Sequence, residues 1–182
     1  MISESSSDVR IRRAVLEDAP SIARVHVESW KTTYAGIVPE EVIASRTHAE
    51  RERRWREIFS DPEEKQFVFV AETNPDGIVG FACGGGERSG DSVYDGEVSA
   101  IYLLQSWQRL GIGRKLMAAA AEELIRRGFS RMLLWVLAAN PAGGFYEALG
   151  GRKVRAGNAR MGHDGAYPEI GYGWDDIPSL LA

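Results

Sequence analysis

Apolar and polar positions change their period along this chain, and those changes divide it into elements. Val9 and Ile11 alternate with Arg10 and Arg12, which predicts a strand over Val9–Ala14. Glu17-Asp18-Ala19-Pro20 places acids and a proline where a helix opens, and Ile22, Val25, His26 and Ser29-Trp30 share one face of it. Tyr34 and Gly36 end that helix. Pro39-Glu40-Glu41 starts a second helical stretch, interrupted near Thr47. From His48 to Phe59 the pairs Glu50–Arg54, Glu52–Arg56 and Arg53–Glu57 lie four residues apart, the pattern of a solvated helix face. Phe67–Ala71 and Ile78–Cys83 read as strands joined by the turn Asn74-Pro75-Asp76-Gly77, with a flexible loop from Gly84 to Gly90.

The centre of the pattern runs from Glu97 to Arg114. Val98, Ala100 and Tyr102 alternate with Ser99, Ile101 and Leu103, and apolar residues occur on both sides, as in a strand buried on both faces. Gln108-Arg109-Leu110-Gly111-Ile112-Gly113 interrupts the alternation. Leu116, Met117, Ala120, Ala121, Leu124 and Ile125 then recur at helical spacing. Arg131–Leu137 is a further apolar strand. Asn140 and Pro141 are placed as cap and first residue of a helix that ends at Gly150-Gly151. Lys153–Arg155 and Glu169–Trp174 are the last two strands. Strands and helices alternate in the middle and hairpins flank them, which predicts an α/β chain of the α+β type: a mixed sheet covered by helices. The organisation is a Ser-rich tail at 1–8, one domain at 9–176 and a C-terminal tail at 177–182, without repeat or linker.

Composition narrows the function classes. The chain has 182 residues, 44% of them hydrophobic, which suits one sizeable core. A net charge of −4 argues against general affinity for nucleic acid or an anionic membrane. The single cysteine, Cys83, excludes an internal disulfide and sits in a strand pattern as a buried thiol. No apolar run reaches the ~18 residues of a membrane span, and the N-terminus lacks the apolar core of a secretion signal, so a cytoplasmic protein is expected. His26, His48 and His163 have no metal-ligand spacing, and no metal is expected. The five Trp residues are compatible with a homodimer.

Gly111 and Gly113 stand just before a helix, where free N–H groups and the helix dipole make an anion site. Arg109, Arg114 and Lys115 crowd that end at a cost of roughly 0.3–1 kcal/mol each, which points to a phosphate. Gln108-Arg109-Leu110-Gly111-Ile112-Gly113 resembles the Gln/Arg-x-x-Gly-x-Gly/Ala pyrophosphate loop of the GNAT family of N-acetyltransferases. Asn140-Pro141-Ala142-Gly143-Gly144-Phe145-Tyr146-Glu147 resembles its second cofactor segment, and Ser29-Trp30, Tyr34 and Gly36 resemble the first helices of one bacterial branch. The likeness spans Val9–Asp176. A nucleotide triphosphate loop lacks its Lys-Ser/Thr ending here, and a dinucleotide fingerprint would need glycine where Leu116 stands.

The resemblance implies a single domain with a mostly antiparallel sheet and helices on both faces. It implies acetyl-CoA as cosubstrate and direct acetyl transfer to a primary amine of a small molecule or peptide. Gln108, Arg109, Leu110, Gly111, Ile112, Gly113 and Arg114 would hold the pyrophosphate. Ile101, Tyr102 and Leu103 would meet the cofactor from the central strand, with a backbone N–H near Ile101 or Leu103 facing the oxyanion. Asn140 and Phe145 belong to the second segment. This sequence departs from the family pattern there: Ala139 stands where many members have asparagine, and Gly143 replaces a common arginine, so Asn140 is a helix cap or a contact to the pantetheine arm. Glu97 is the expected base, on the face of Ile101 by period two; Glu28 and Asp95 are alternatives. Tyr146 is the expected acid for the departing thiolate. His26, Trp30, Tyr34 and Tyr172 would line the acceptor pocket. A non-catalytic acetyl-CoA-binding module would need neither Glu97 nor Tyr146, and their presence favours the enzyme.

Overall fold

The computed structural model describes residues 9–161 and 165–182. The expected tail at 1–8 and His163 lie outside them. The strands are β1 (Arg10–Arg13), β2 (Gln66–Thr73), β3 (Gly77–Gly86), β4 (Gly96–Leu103), β5 (Met132–Leu137), β6 (Arg152–Met161) and β7 (Gly165–Trp174). The helices are α1 (Ala19–Tyr34), α2 (Glu40–Ala44), α3 (His48–Phe59), α4 (Ile112–Arg126) and α5 (Gly143–Ala148). One seven-stranded sheet forms in the order β1-β2-β3-β4-β5-β7-β6. Every neighbouring pair is antiparallel except β4 and β5, which the α4 crossover makes parallel.

Alternation along the strands builds two cores. Val68, Val70, Phe81 and Cys83 face α1 and α3, packing on Ile22, Val25 and Trp55. Phe67, Val98, Leu134 and Trp174 face the other way, onto Met117, Ala121 and Leu124 of α4 and Tyr146 of α5. Cys83 is buried, and burial pushes its thiol up to about 11.

Several boundaries differ from the sequence reading. The expected loop at Gly84 is strand: a Cβ on Gly84 would lie 2.3 Å from the Glu97 carbonyl oxygen, so glycine there permits close strand approach rather than flexibility. The pair β6–β7 is a ten-residue hairpin on each side, far longer than Lys153–Arg155 and Glu169–Trp174. α5 starts at Gly143, with Ala142 as its N-cap, so Asn140 is not the cap of that helix. Its Oδ1 instead accepts from the Ala142 N–H at 2.9 Å and shapes the turn before it. Residues 177–182 are not a free tail: Ile177–Leu181 form a 3-10 turn whose Ile177 and Leu180 enter the α4 core. In α3, Glu52–Arg56 pair as expected, whereas Glu50 pairs with Arg51 and Glu57 with Arg54.

One polar cluster ties α4 to the sheet. The Glu123 carboxylate is buried and accepts from Arg126 at 2.6 Å, Arg127 at 2.8 Å and Arg13 of β1 at 3.1 Å. Arg126 first, then Arg127 and Arg13, hold its pKa down to about 2 against the opposing effect of burial. The folded pKa lies below that of the unfolded chain, near 4.3, so this stabilisation is complete above about pH 4.3 and is lost as pH falls toward 2. Glu123→Gln is expected to cost about 1–3 kcal/mol at pH 7, with the difference shrinking below pH 4. Urea melts of both proteins at pH 7 and pH 3 check it; an equal difference at both values would remove the ion cluster as the cause.

Candidate active site

Strands β4 and β5 pair only through Gly96–Met132 and Glu97–Leu133, and then part. A wedge opens between their C-terminal ends. Leu104 donates its N–H to Val79 of β3 at 2.9 Å. By strand alternation the N–H groups of Leu103 and Ile101 therefore point the other way, into the wedge. These are the two donors expected at the oxyanion, and buried backbone donors require partners.

A β-bulge at Ser99 changes which side chains share a face. Cys83 of β3 pairs with Ala100 and Gly84 with Val98, leaving Ser99 as the extra residue. Glu97 pairs with Gly85, and Ile101 with Ala82, which lie on opposite sides of β3. The period-two argument that puts Glu97 and Ile101 on one face is thereby corrected. Ile101 and Leu103 pack toward α4, whereas Ala100 and Tyr102 pack toward α1. Glu97 lies on the α1 side, buried, and both its oxygens are held by Arg88: Nε donates to Oε2 at 3.1 Å and Nη2 to Oε1 at 2.7 Å. Of the alternatives, Asp95 accepts from Ser130 and Arg131 and fastens the start of β4 to the start of β5, while Glu28 pairs with Arg24 on α1.

The loop after β4 presents an anion cradle. Gly111 is the N-cap of α4, at φ +78°, and no side chain caps the helix. No neighbour lies within 4 Å of a Cβ built on Gly111, so glycine is required there by the backbone conformation alone. Arg109 also has a positive φ, 63°. Gln108 anchors the loop by donating to the Leu103 carbonyl at 3.3 Å. The N–H groups of Ile112, Gly113 and Arg114 are left for a ligand, and Arg109, Arg114 and Lys115 form no ion pair among the described residues. Leu110 is exposed beside them. Phe145 of α5 closes the far side, its ring 3.0 Å from where a Gly113 Cβ would lie. These residues fit a diphosphate with a pantetheine arm running into the wedge.

The residues expected around the acceptor are brought together except for one. Trp30 Nε1 donates to the Tyr102 hydroxyl at 3.1 Å, and the Tyr34 and Tyr102 hydroxyls lie 3.0 Å apart. His26 stacks on Tyr102 with ring centroids 5.3 Å apart. Burial, then Arg51 and Arg46, push His26 down to about 3, so it is a neutral imidazole at pH 7. Tyr172 is the correction. The alternation of β7 turns it to the opposite face, where it packs on Tyr146 with centroids 5.5 Å apart and its hydroxyl fills the space beside Gly143. A cleft of about 240 Å³ between β5, α5 and β7 includes Tyr172 and Asn140. Tyr146 itself is buried, and burial, with Tyr34 and Tyr172 adding, pushes its phenol well above its ordinary value.

Three residues of this site were not legible in the sequence. Arg88 sits in the β3–β4 connection, nine positions from Glu97, with no periodic signal. Arg46 lies between α2 and α3, with its guanidinium 4.3 Å over the Trp30 ring. Glu169 pairs with Leu137 across β7 and β5 on the acceptor face, and no hydrogen-bond donor reaches it among the described residues. Burial, then Glu97, raise its carboxyl above the ordinary range. Glu169 alternates with Ile170 and Tyr172, and only the observed register shows that its face is the acceptor side.

The sequence profile described as Acetyltransferase (GNAT) family matches residues 26–150. The chain is 41% identical over 172 residues to the "Uncharacterized N-acetyltransferase YuaI" of Bacillus subtilis, covering 94% of this chain and 96% of that protein. It is 27% identical to a spermidine N(1)-acetyltransferase of Thermoplasma acidophilum, over 80% of this chain and 89% of that one. Among solved structures, the PaiA N-acetyltransferase of Thermoplasma acidophilum in complex with coenzyme A superposes with a TM-score of 0.73 at 23% identity, covering 92% and 99% of the two chains. YncA of Salmonella typhimurium with acetyl-CoA gives 0.68 at 19% identity, covering 93% and 94%.

Gly111→Ala tests the cradle. A side chain in the left-handed region costs about 1–2 kcal/mol, so the loop is expected to leave its binding conformation and the acetyl-CoA dissociation constant to rise roughly 5–30-fold. Isothermal titration measures it; unchanged affinity would remove the Gly111 conformation from the binding site.

Proposed function

This chain belongs to the acetyltransferase (GNAT) family, as an acetyl-CoA-dependent N-acetyltransferase, and we propose that it acetylates a primary amine of a small molecule or peptide, admitted from the α1 side of the wedge. The observation that carries this reading is the parting of β4 and β5. It leaves the N–H groups of Ile101 and Leu103 facing a gap bordered by the Trp30–Tyr102–Tyr34 hydroxyl cluster.

Acetyl-CoA supplies an activated thioester. The Gln108–Arg114 loop fixes its diphosphate, and the wedge N–H groups are oriented before negative charge develops on the carbonyl oxygen. The amine nitrogen forms the new C–N bond as the C–S bond breaks; the ammonium proton passes to a base and the thiolate takes up a proton. Tyr146 is the proton donor proposed for the sulfur. Its burial makes phenolate formation costlier than for a free phenol, so the hydrogen bond it donates to sulfur carries the effect.

Two carboxylates face the acceptor. Glu97 is the base expected from the sequence, but Arg88 occupies both of its oxygens. Glu169 pairs with no cation among the described residues, and its raised pKa suits a proton acceptor better. In this reading Glu169 takes the proton and Glu97, held by Arg88, positions the acceptor side. The relative named for spermidine would suggest a polyamine acceptor, yet Arg46 and Arg51 lie close enough to depress His26 and would repel a polycation.

Acetyl-CoA at 100 times its dissociation constant is expected to stabilise the protein by about 2.7 kcal/mol, read as a thermal shift absent with NAD or ATP. Tyr146→Phe is expected to lower kcat by about a hundredfold while leaving acetyl-CoA affinity within threefold; equal turnover would exclude Tyr146 as donor. The acid limb of the kcat/KM profile is expected above pH ~4.3 and to vanish in Glu169→Gln, because the base must be ionised to accept a proton. A limb that persists there and vanishes in Glu97→Gln would transfer the role to Glu97.

A further inference from the structure

Among the described residues, the acceptor side holds a cation without an ion-pair partner. Arg46 is half-buried, and its guanidinium carbon lies 4.3 Å from the centre of the Trp30 ring. Its Nε is buried with no hydrogen-bond partner, and the guanidinium joins no ion pair among the described residues. The nearest acid offers no relief: both oxygens of Glu50 are taken by Arg51, at 2.5 and 2.7 Å. A second unpartnered polar atom, Nδ1 of His26, lies in the same aromatic cluster. Trp30 links these groups to the wedge, since it stacks under Arg46 on one side and donates to Tyr102 on the other.

A half-buried guanidinium that has five donors and meets no acceptor among the described residues is unfavourable unless a ligand completes it. The guanidinium donates to no group among the described residues, and a carboxylate matches its fork with two parallel hydrogen bonds. We propose that the acceptor is a small amine that also bears a carboxylate, and that Arg46 receives this carboxylate while the amine reaches the wedge. This rests on the N-acetyltransferase reading and specifies its substrate class. The rings of Trp30 and Tyr34, with centroids 4.4 Å apart, offer an apolar surface to the side chain of such an acceptor.

Matched pairs isolate the carboxylate: glycine against methylamine, L-leucine against 3-methylbutylamine, and L-phenylalanine against phenethylamine, with spermidine added. Each is assayed by thiol release from acetyl-CoA and by thermal shift of the CoA-saturated protein. The carboxylate-bearing member of at least one pair is expected to show a ~10–100-fold higher kcat/KM, the range of a charge-assisted hydrogen bond. Arg46→Met is expected to bring that ratio close to one by raising KM for the carboxylate member. Arg46→Lys, which keeps the charge but not the fork, should retain part of it. Equal rates within every pair, preference for spermidine, or a ratio unchanged in Arg46→Met would overturn the proposal. Carboxylate-dependent stabilisation without thiol release would sustain Arg46 as the carboxylate site and overturn the transferase reading instead. Thiol release indifferent to the carboxylate would do the reverse.

Discussion

The parting of β4 from β5 is the constraint on which the site depends. A parallel pair that continued past Glu97 and Leu133 would satisfy its own backbone and leave no room between the strands. Instead, the edge of β4 from Ile101 to Leu103 keeps donors aimed into a gap. The gap is held open from both sides. Tyr102 is fixed by Trp30 and Tyr34 of α1, and Leu137 packs on the same pair of rings. On the other face Phe145 and Tyr146 of α5 pack against each other and against α4. An open edge inside a sheet is a standing cost, and a ligand that presents acceptors to it recovers that cost on binding.

The bulge at Ser99 works with this parting. Without it, Glu97 and Ile101 would share a face, and the carboxylate would sit over α4 rather than beside Leu133 on the acceptor side. One inserted residue therefore separates the strand into a lower part that carries a carboxylate toward α1 and an upper part that carries Ile101 and Leu103 toward α4. Arg88 then becomes necessary, because a buried carboxylate needs a partner, and the β3–β4 connection brings it within reach.

Local chemistry in the sequence was enough to find the central strand, the glycine loop, α4, and the Trp30–Tyr34 face, since each rests on residues close together in the chain. What escaped was set by pairing between distant strands. The bulge is such a case: Val98–Leu103 alternates well in sequence, and only its register with β3 reveals the extra residue. The hairpin β6–β7 was cut short because Arg152–Met161 mixes charged and small residues, and because Pro168 lacks the N–H expected of a strand between two neighbours. The family resemblance puts the last strands beside the acceptor and so implies Tyr172 there, but the face of β7 decides otherwise. Arg46 lies in a short connection with no period at all, and its meaning appears only from the ring beneath it.

The acceptor amine sets how much base the site needs. A lysine-like ammonium costs about 4.6 kcal/mol to neutralise at pH 7, and an α-amine near pKa 7.8 about 1 kcal/mol. A carboxylate, whose ordinary pKa is near 4, is a weak base for the first of these. The environment offers a second route. Burial together with Arg51 and Arg46 holds His26 in its neutral form, and the same surroundings disfavour a second positive charge on any amine that enters. An acceptor that leaves its carboxylate against Arg46 and its nitrogen toward Glu169 would gain the attraction at one end and lose its proton more readily at the other. Arg46 would then select the substrate, and the positive surroundings it shares with Arg51 would ease deprotonation, leaving the carboxylates only the proton already weakened.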